Sequence, residues 1–225
     1  MKFISRFSAL VLILCLLMGA TAMASASEME DVFTEDWFYD YVVRGRELEL
    51  INGTSESGFR FEPRRNMTRA EFIAVLGRTH EHLSGDTIEL PRDVFFAPPP
   101  FWYTKYLIWA QEHEIILGDK TGNLRAYELI TREQIAVFVH RYIEIFELQL
   151  VIDTVVPQWD PCDFYQVSSW AQRGVRAMIF EYQLMRGNII QYRFLFRPLD
   201  NAHRAEVLAV LIRLVDAVCD SETPE

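Results

Sequence analysis

Three arginines could bind an anion, because each stands in the first turn of a predicted helix. They belong to a phrase that occurs three times, at 67–71, 130–134 and 202–206, and they are Arg69, Arg132 and Arg204. The positive end of a helix dipole disfavours a cation by a few tenths of a kcal/mol. A guanidinium beside free helix N-terminal amides, however, suits a carboxylate. The two interpretations are an anionic ligand, with Arg69 then dispensable for folding, and an ion pair between the repeated units.

The other polar residues of the phrase predict the start of each helix. Thr68 is followed three residues later by Glu71, and Thr131 by Gln134. This spacing is typical of a capping box, in which the two side chains satisfy first-turn amides. Helix capping alone explains these residues. Contact of Thr68, Thr131, Glu71 and Glu206 with a ligand is the alternative interpretation.

A tryptophan precedes each copy of the phrase. Trp37, Trp102 and Trp170 stand at the start of a first apolar helix in each unit. An indole on such a helix most often packs in the core, and it can also form one wall of a sugar-binding groove. We predict core or groove-lining packing for the three rings, with direct ligand contact as the alternative.

A glycine lies between each tryptophan and the next copy of the phrase. Gly53, Gly118 and Gly187 follow their tryptophans by 16, 16 and 17 residues. Glycine readily takes the left-handed conformation that ends a helix, so each is predicted to stop a first helix. A close approach of a ligand to the backbone at Gly53, Gly118 and Gly187 is the second interpretation.

These residues together resemble the S-layer homology repeat of bacterial surface proteins. The first unit has the whole pattern, with Asp31-Val32, Trp37, Gly53, Phe61-Glu62-Pro63 and the phrase at 68–71. The second unit lacks the Phe-x-Pro step and has Glu133-Gln134 where Ala-Glu is expected. The third has His203 in place of threonine. The resemblance covers nearly all of residues 31–219.

The repetition predicts an all-α fold of three helix–loop–helix repeats. Apolar faces follow each copy of the phrase, for example Phe72, Val75 and Leu76 after the first. The predicted repeats span 31–84, 93–148 and 159–219, and a short strand within 148–156 is the only other element considered. The resemblance implies that the repeats pack around a pseudo-threefold axis with grooves between neighbours.

The first 26 residues are predicted to be a secretory signal peptide. Lys2 and Arg6 form a basic start, an apolar core follows, and small residues at 22–26 offer cleavage sites. Without this segment the charged residues number 20 basic against 32 acidic. Such an acidic balance argues against nucleic acid as a partner, since nucleic-acid binding needs a basic face. No transmembrane segment is expected after cleavage.

The sequence carries no recognisable catalytic or metal-binding pattern. The sequence has no nucleophile elbow, phosphate loop or Cys-x-x-Cys, and the histidines at 80 and 82 lack helical zinc spacing. We therefore expect no enzyme activity, no cofactor and no metal. Export permits a disulfide between Cys162 and Cys219, but the sequence favours two unpaired thiols.

The resemblance implies a function at the cell envelope. The expected protein is secreted and attached to the bacterial cell wall or surface layer. Its partner would be an anionic secondary cell-wall polysaccharide, in this family often pyruvylated, whose carboxylates meet the arginines. No large further domain is visible in the sequence, which keeps a second hypothesis open. In it, Glu133-Gln134 and His203 mark a diverged module that contacts other envelope proteins.

Overall fold

The computed structural model describes residues 29–54, 60–91, 101–152 and 160–222, with backbone alone for 219–222. The predicted signal peptide and the side chain of Cys219 lie outside the described residues. The helices are α1 (Tyr39–Glu47), α2 (Arg69–Ser84), α3 (Thr104–Glu112), α4 (Arg132–Ile145), α5 (Gln172–Arg176) and α6 (Arg204–Glu222). A 3₁₀ turn, Phe164–Gln166, precedes α5, and a π-helical turn, Ala177–Glu181, continues it.

The second helix of each unit begins at the repeated phrase, as predicted. Thr68 and Thr131 form complete capping boxes with Glu71 and Gln134 at the starts of α2 and α4. In α6 only half of this arrangement is present, because the backbone amide of His203 donates to the Glu206 carboxylate at 3.0 Å. The apolar faces of α2, α4 and α6 supply much of one continuous core.

The first helices end differently from the prediction. The left-handed residues after α1, α3 and the π-helical turn are Glu49, Glu114 and Gln183, with φ of 55°, 55° and 54°. Among the described glycines, positive φ occurs at Gly85 and Gly122, so Gly53, Gly118 and Gly187 are not left-handed helix stops. The positions that take the left-handed conformation are therefore fixed by how the chain packs after each helix, and this packing outweighs the small preference for glycine there.

Two of these glycines instead permit a close backbone approach. A Cβ atom on Gly118 would lie 2.5 Å from the carbonyl carbon of Gly122. One on Gly187 would lie 2.5 Å from the carbonyl oxygen of Leu195. The glycines are therefore required where the loop folds back on itself, several residues after the helix has ended.

Backbone hydrogen bonds join the three copies of the phrase in a closed ring. The amide of Met67 donates to the carbonyl of Ala202 at 3.1 Å, and the amide of Ala202 donates to the carbonyl of Ile130 at 3.0 Å. The amide of Ile130 donates to the carbonyl of Met67 at 2.9 Å and closes the ring. All three side chains are fully buried, so the ring lies inside the protein.

The fold is predominantly helical but not purely so. A two-stranded antiparallel hairpin, β1 (Asn188–Ile190) and β2 (Arg193–Leu195), lies in the loop of the third unit. The all-α prediction missed it because strands of three residues carry almost no periodic signal. The strand considered within 148–156 is absent from its described part, 148–152. None of the helices in the described ranges is both long and apolar enough to cross a membrane.

Candidate functional site

The three arginines of the phrase are buried and connect neighbouring units. The Nε atom of Arg69 donates to the carbonyl of Leu124 at 2.9 Å, that of Arg132 to Phe196 at 2.8 Å, and that of Arg204 to Phe61 at 2.7 Å. Each guanidinium thus holds the loop of a different unit from its own. The acceptors are backbone carbonyls. Among the described residues, the predicted alternative of an ion pair is found at Arg132, which also meets Glu206 at 3.3 Å.

The first-turn amides of these helices are not free, contrary to the prediction. The amides of Arg69 and Ala70 donate to the carbonyls of Glu128 and Ala126, each at 2.9 Å. The corresponding pairs in α4 and α6 donate to backbone carbonyls of the third and first units at 2.9–3.1 Å. An anion cannot use these amides, because neighbouring loops already occupy them.

Burial also changes the acidity of the three guanidinium groups. Desolvation lowers the pKa of Arg204 to about 10, an effect that nearby Arg65 increases. Burial likewise lowers the pKa of Arg69 and of Arg132. With a pKa of about 10, Arg204 remains protonated at neutral pH, so its positive charge is retained inside the fold.

Two aspartates fix the loops that receive the arginines. The carboxylate of Asp31 accepts hydrogen bonds from the amides of Phe61 and Glu62 at 2.8 and 2.7 Å. Asp163 does the same for Phe196 and Arg197 at 2.8 and 2.7 Å. The sequence does carry a signal for this role of Asp163. Asp163 stands seven residues before Trp170, and Asp31 stands six before Trp37.

A groove of about 500 Å³, here called groove A, lies between the first and third units. Its walls are formed by Asp36, Trp37, Phe38, Pro63, Arg64, Arg132, Met185, Arg186, Asn188, Arg197, His203, Ala205, Glu206, Ala209, Val210 and Arg213. Five arginines and two acidic residues give it an excess of three positive charges, while the whole chain carries −10. The groove is therefore suited to an anion despite the acidic protein around it.

Glu206 partly neutralises the floor of groove A. Its Oε1 atom accepts hydrogen bonds from Arg132 and Arg197, each at 3.3 Å. Arg213 is held by the Tyr41 hydroxyl at 3.1 Å and the Leu184 carbonyl at 3.1 Å. Arg64 and Arg186 are exposed, and they are the arginines at the groove's surface that an entering ligand meets first.

A second groove of about 500 Å³, here called groove B, lies between the first and second units. Its walls are Ile51, Asn52, Gly53, Thr54, Glu62, Arg65, Met67, Glu71, Val75, Arg78, Trp102 and Arg204. Three arginines and two acidic residues give it an excess of one positive charge. It is much less basic than groove A.

Glu71 shows that groove B is also partly neutralised from within. Arg65 donates to its Oε1 atom at 2.7 Å, and the amide of Thr68 donates to its Oε2 atom at 2.9 Å. Burial alone would raise the pKa of Glu71, but these two hydrogen bonds outweigh it and leave the pKa below its usual value. The carboxylate is charged at neutral pH and serves the helix cap and the groove together.

The three tryptophans, which were predicted to pack in the core or to line a groove, do not lie in the core. Trp37, Trp102 and Trp170 are 60, 57 and 55% exposed. They precede the first helices instead of lying on the helices' inner faces. Trp37 lines groove A and Trp102 lines groove B, where Arg78 lies 5.5 Å from its ring centroid. The groove-lining part of the prediction therefore describes these two rings.

The remaining predicted site residues are divided between grooves and scaffold. Gly53 and Glu71 line groove B, and Glu206 lines groove A. Thr68 and Thr131 are used as helix caps. Sequence reasoning missed the exposed arginines of groove A, because no repeated pattern marks them.

Comparison with known families now identifies the chain. The profile of the S-layer homology domain matches residues 28–73 and 99–136. This chain is an S-layer homology domain protein. Domains of this family mediate anchoring to the cell wall, which indicates a place at the cell surface or S-layer. The matched segments include the phrase in the first and second units, with Arg69 and Arg132.

Two curated proteins are similar to this S-layer homology protein over most of its length. An endoglucanase of Bacillus sp. (strain KSM-635) is 30% identical over 225 residues, which is 95% of this chain and 22% of the relative. An amylopullulanase of Thermoanaerobacterium thermosulfurigenes is 26% identical over 199 residues, 85% of this chain and 10% of the relative. The chain thus spans about a fifth and a tenth of these relatives.

Proposed function

We propose that this S-layer homology protein attaches non-covalently to an anionic cell-wall polysaccharide, with groove A as the principal site. The acidic groups of the polymer, including pyruvate ketals, would pair with the arginines of the groove. We propose no catalytic activity, since the sequence carries no nucleophile elbow or phosphate loop. The exported chain would begin after residue 26.

We propose that the repeats at 31–84, 93–148 and 159–219 pack around a pseudo-threefold axis. The closed ring of Met67, Ile130 and Ala202 supports this arrangement, because each unit gives one hydrogen bond and receives one. The cyclic order of the arginine contacts supports it as well. Each phrase arginine reaches the loop of the next unit in the same sense around the ring.

The phrase arginines have a dual role in this proposal. Their Nε atoms hold the loops that form the groove walls. Arg132 and Arg204 also line grooves A and B, so their outer guanidinium nitrogens can contribute positive charge to a bound carboxylate. They are positioning residues first, and the exposed Arg64 and Arg186 make the principal ligand contacts.

The observation that carries the proposal is the charge of groove A. An excess of three positive charges in a chain of net charge −10 makes groove A a local region of positive potential that attracts anions. The adjacent Trp37 ring adds an apolar wall against which a sugar ring can pack. A groove with both features suits an acidic sugar better than a free inorganic anion.

The test is sedimentation of the purified protein with cell-wall sacculi, before and after extraction of their polysaccharide. The wild-type protein should bind intact sacculi and lose binding after extraction. The double variant Arg64→Gln/Arg186→Gln should weaken binding by about a hundredfold, roughly tenfold for each charge-assisted contact. Its melting temperature should remain within a degree or two, because both side chains are exposed.

The matched control removes two positive charges elsewhere. Arg44 and Lys120 are exposed and lie outside the walls of both grooves. Arg44→Gln/Lys120→Gln should bind like the wild-type protein. Equal losses in the two double variants would indicate a general charge effect, and unchanged binding by the groove variant would exclude groove A.

The alternative of a diverged protein–protein module loses its two motivating features. The Glu133 carboxylate accepts hydrogen bonds from the amide and hydroxyl of Ser168, both at 2.9 Å, and Gln134 completes a capping box. His203 donates its amide to Glu206 within its own unit. These departures from the family pattern have uses inside the fold, so they no longer favour the alternative.

A further inference from the structure

Phe101, Trp102, Tyr103 and Tyr127 form an aromatic cluster beside groove B. Two of these residues stand at positions whose counterparts beside groove A are charged. Phe101 directly precedes Trp102, as Asp36 precedes Trp37. Tyr127 stands five residues before Arg132, as Arg64 stands five before Arg69. Asp36 and Arg64 line groove A. The same two places in the second unit therefore present benzene and phenol rings instead of a carboxylate and a guanidinium.

The cluster has a defined geometry. The rings of Phe101 and Tyr103 stack with an interplanar angle of 13° and centroids 5.4 Å apart. Tyr127 meets both edge-on, with each centroid distance 6.2 Å. Trp102, a wall of groove B, contacts Tyr103 edge-on at 5.4 Å. The aromatic surface is thus continuous with groove B.

Three of the four rings are exposed, although the backbone that carries them is held firmly. Phe101, Trp102 and Tyr127 are 54, 57 and 68% exposed. On either side of Tyr127, the carbonyls of its two neighbours accept the first-turn amides of α2 at 2.9 Å. The amide of Thr104 donates to the carbonyl of Phe101 at 2.9 Å. A rigid group of exposed rings is pre-organised for a flat apolar ligand surface.

We propose that Phe101, Trp102 and Tyr127 form a stacking platform for an uncharged sugar ring. The C–H face of a neutral pyranose packs on aromatic rings, and the Tyr127 hydroxyl can hydrogen-bond to its rim. This inference rests on the proposed function and extends it. Groove A binds an acidic sugar and the platform at groove B binds a neutral one, so the protein distinguishes two kinds of residue in one heteropolymer.

The experiment is calorimetric titration of the full chain with two forms of purified wall polysaccharide. One is the native polymer, and the other has its carboxylates chemically reduced to alcohols. Tyr127→Ala should weaken binding of the native polymer roughly tenfold and remove the residual binding of the reduced polymer. Phe101→Ala should act in the same direction. Arg64→Gln should weaken binding of the native polymer alone.

Leu199→Ala is the matched control, because Leu199 stands at the same position of the third unit and is 56% exposed. It should leave both affinities unchanged. If the wild-type protein binds the native polymer and Tyr127→Ala binds it equally well, the platform is excluded while the proposed function stands. If the wild-type protein binds neither polymer, both fall. If Tyr127→Ala changes only self-association in sedimentation, the patch is a protein contact and the inference is overturned.

Discussion

Groove A and groove B occupy corresponding places between units, yet their walls differ in chemistry. Glu206 and Arg213 of groove A correspond to Glu71 and Arg78 of groove B. In each unit the glutamate and the arginine stand the same number of residues after the phrase arginine. At the outer positions the residue types differ between the two grooves. Asp36 and Arg64 border one groove, and aromatic residues stand at those places beside the other.

This difference indicates that the repeated residues and the varied residues serve different functions in the protein. The phrase arginines, which are alike in the three units, connect the units. The positions that differ most, Asp36 and Arg64 in one unit and Phe101 and Tyr127 in the next, lie at or beside the groove surfaces. Substitution of an inner position should therefore reduce stability, and substitution of an outer position should reduce binding with little change in stability.

The largest expected effect is at Arg132, which is 5% exposed. Arg132→Ala removes the donors to the carbonyls of Phe196 and Arg186 and leaves Glu206 with one arginine fewer. We expect a loss of about 3 kcal/mol or more in the free energy of unfolding, measured with urea. The ligand interpretation predicted no such loss at Arg69, the corresponding arginine of the first unit. A variant with wild-type stability would show that this connection between units is dispensable.

A smaller loss is expected at Asp163. Asp163→Ala leaves the buried amide of Phe196 and the amide of Arg197 without their acceptor. We expect the free energy of unfolding to fall by about 2 kcal/mol, since an unsatisfied buried amide costs about 1–3 kcal/mol. Asp31→Ala should have a comparable effect in the first unit. If Asp163→Ala alone is neutral, the loops are held by the arginines without help from the aspartates.

The smallest stability effect is a pH dependence at the contact of the first and second units. His80 lies 3.3 Å from the Tyr142 hydroxyl. Burial lowers the pKa of His80, His113 lowers it further, and Asp86 and Glu81 oppose the shift. The unfolded chain therefore binds the proton more readily, so stability is complete above about pH 6.5 and declines as the pH falls.

Urea unfolding between pH 7 and pH 5 measures this contribution. The slope for one histidine cannot exceed about 1.4 kcal/mol per pH unit. His80→Phe should reduce the slope, because the ring no longer titrates. His140, whose pKa burial also lowers while Glu144 opposes the shift, serves as a comparison at the next unit contact. An unchanged slope in His80→Phe would assign the pH dependence to other groups.

Local features of the fold could be predicted from the sequence. The capping boxes at Thr68 and Thr131 were predicted correctly, because both partners lie within four residues of each other. The buried faces after each phrase were predicted from their helical spacing. A repeated local pattern is sufficient for these features.

Contacts between units could not be predicted in the same way. The carbonyls that receive Arg69, Arg132 and Arg204 are 55, 64 and 143 residues away in the sequence. Every residue also has a backbone carbonyl, so the residue type does not indicate which carbonyl accepts the hydrogen bond. The exposed arginines of groove A, Arg64 and Arg186, come from different units and share no motif, so only the fold brings them together.

The most direct test of the account is NMR spectroscopy of the arginine Nε–H groups during titration with an acidic fragment of the wall polysaccharide. The signals of Arg64 and Arg186 should shift with saturation, because both are exposed in groove A. The signal of Arg69 should stay in place, since its Nε–H is bonded to the Leu124 carbonyl. A shift at Arg69 with none at Arg64 and Arg186 would contradict the division between inner scaffold and outer binding surface.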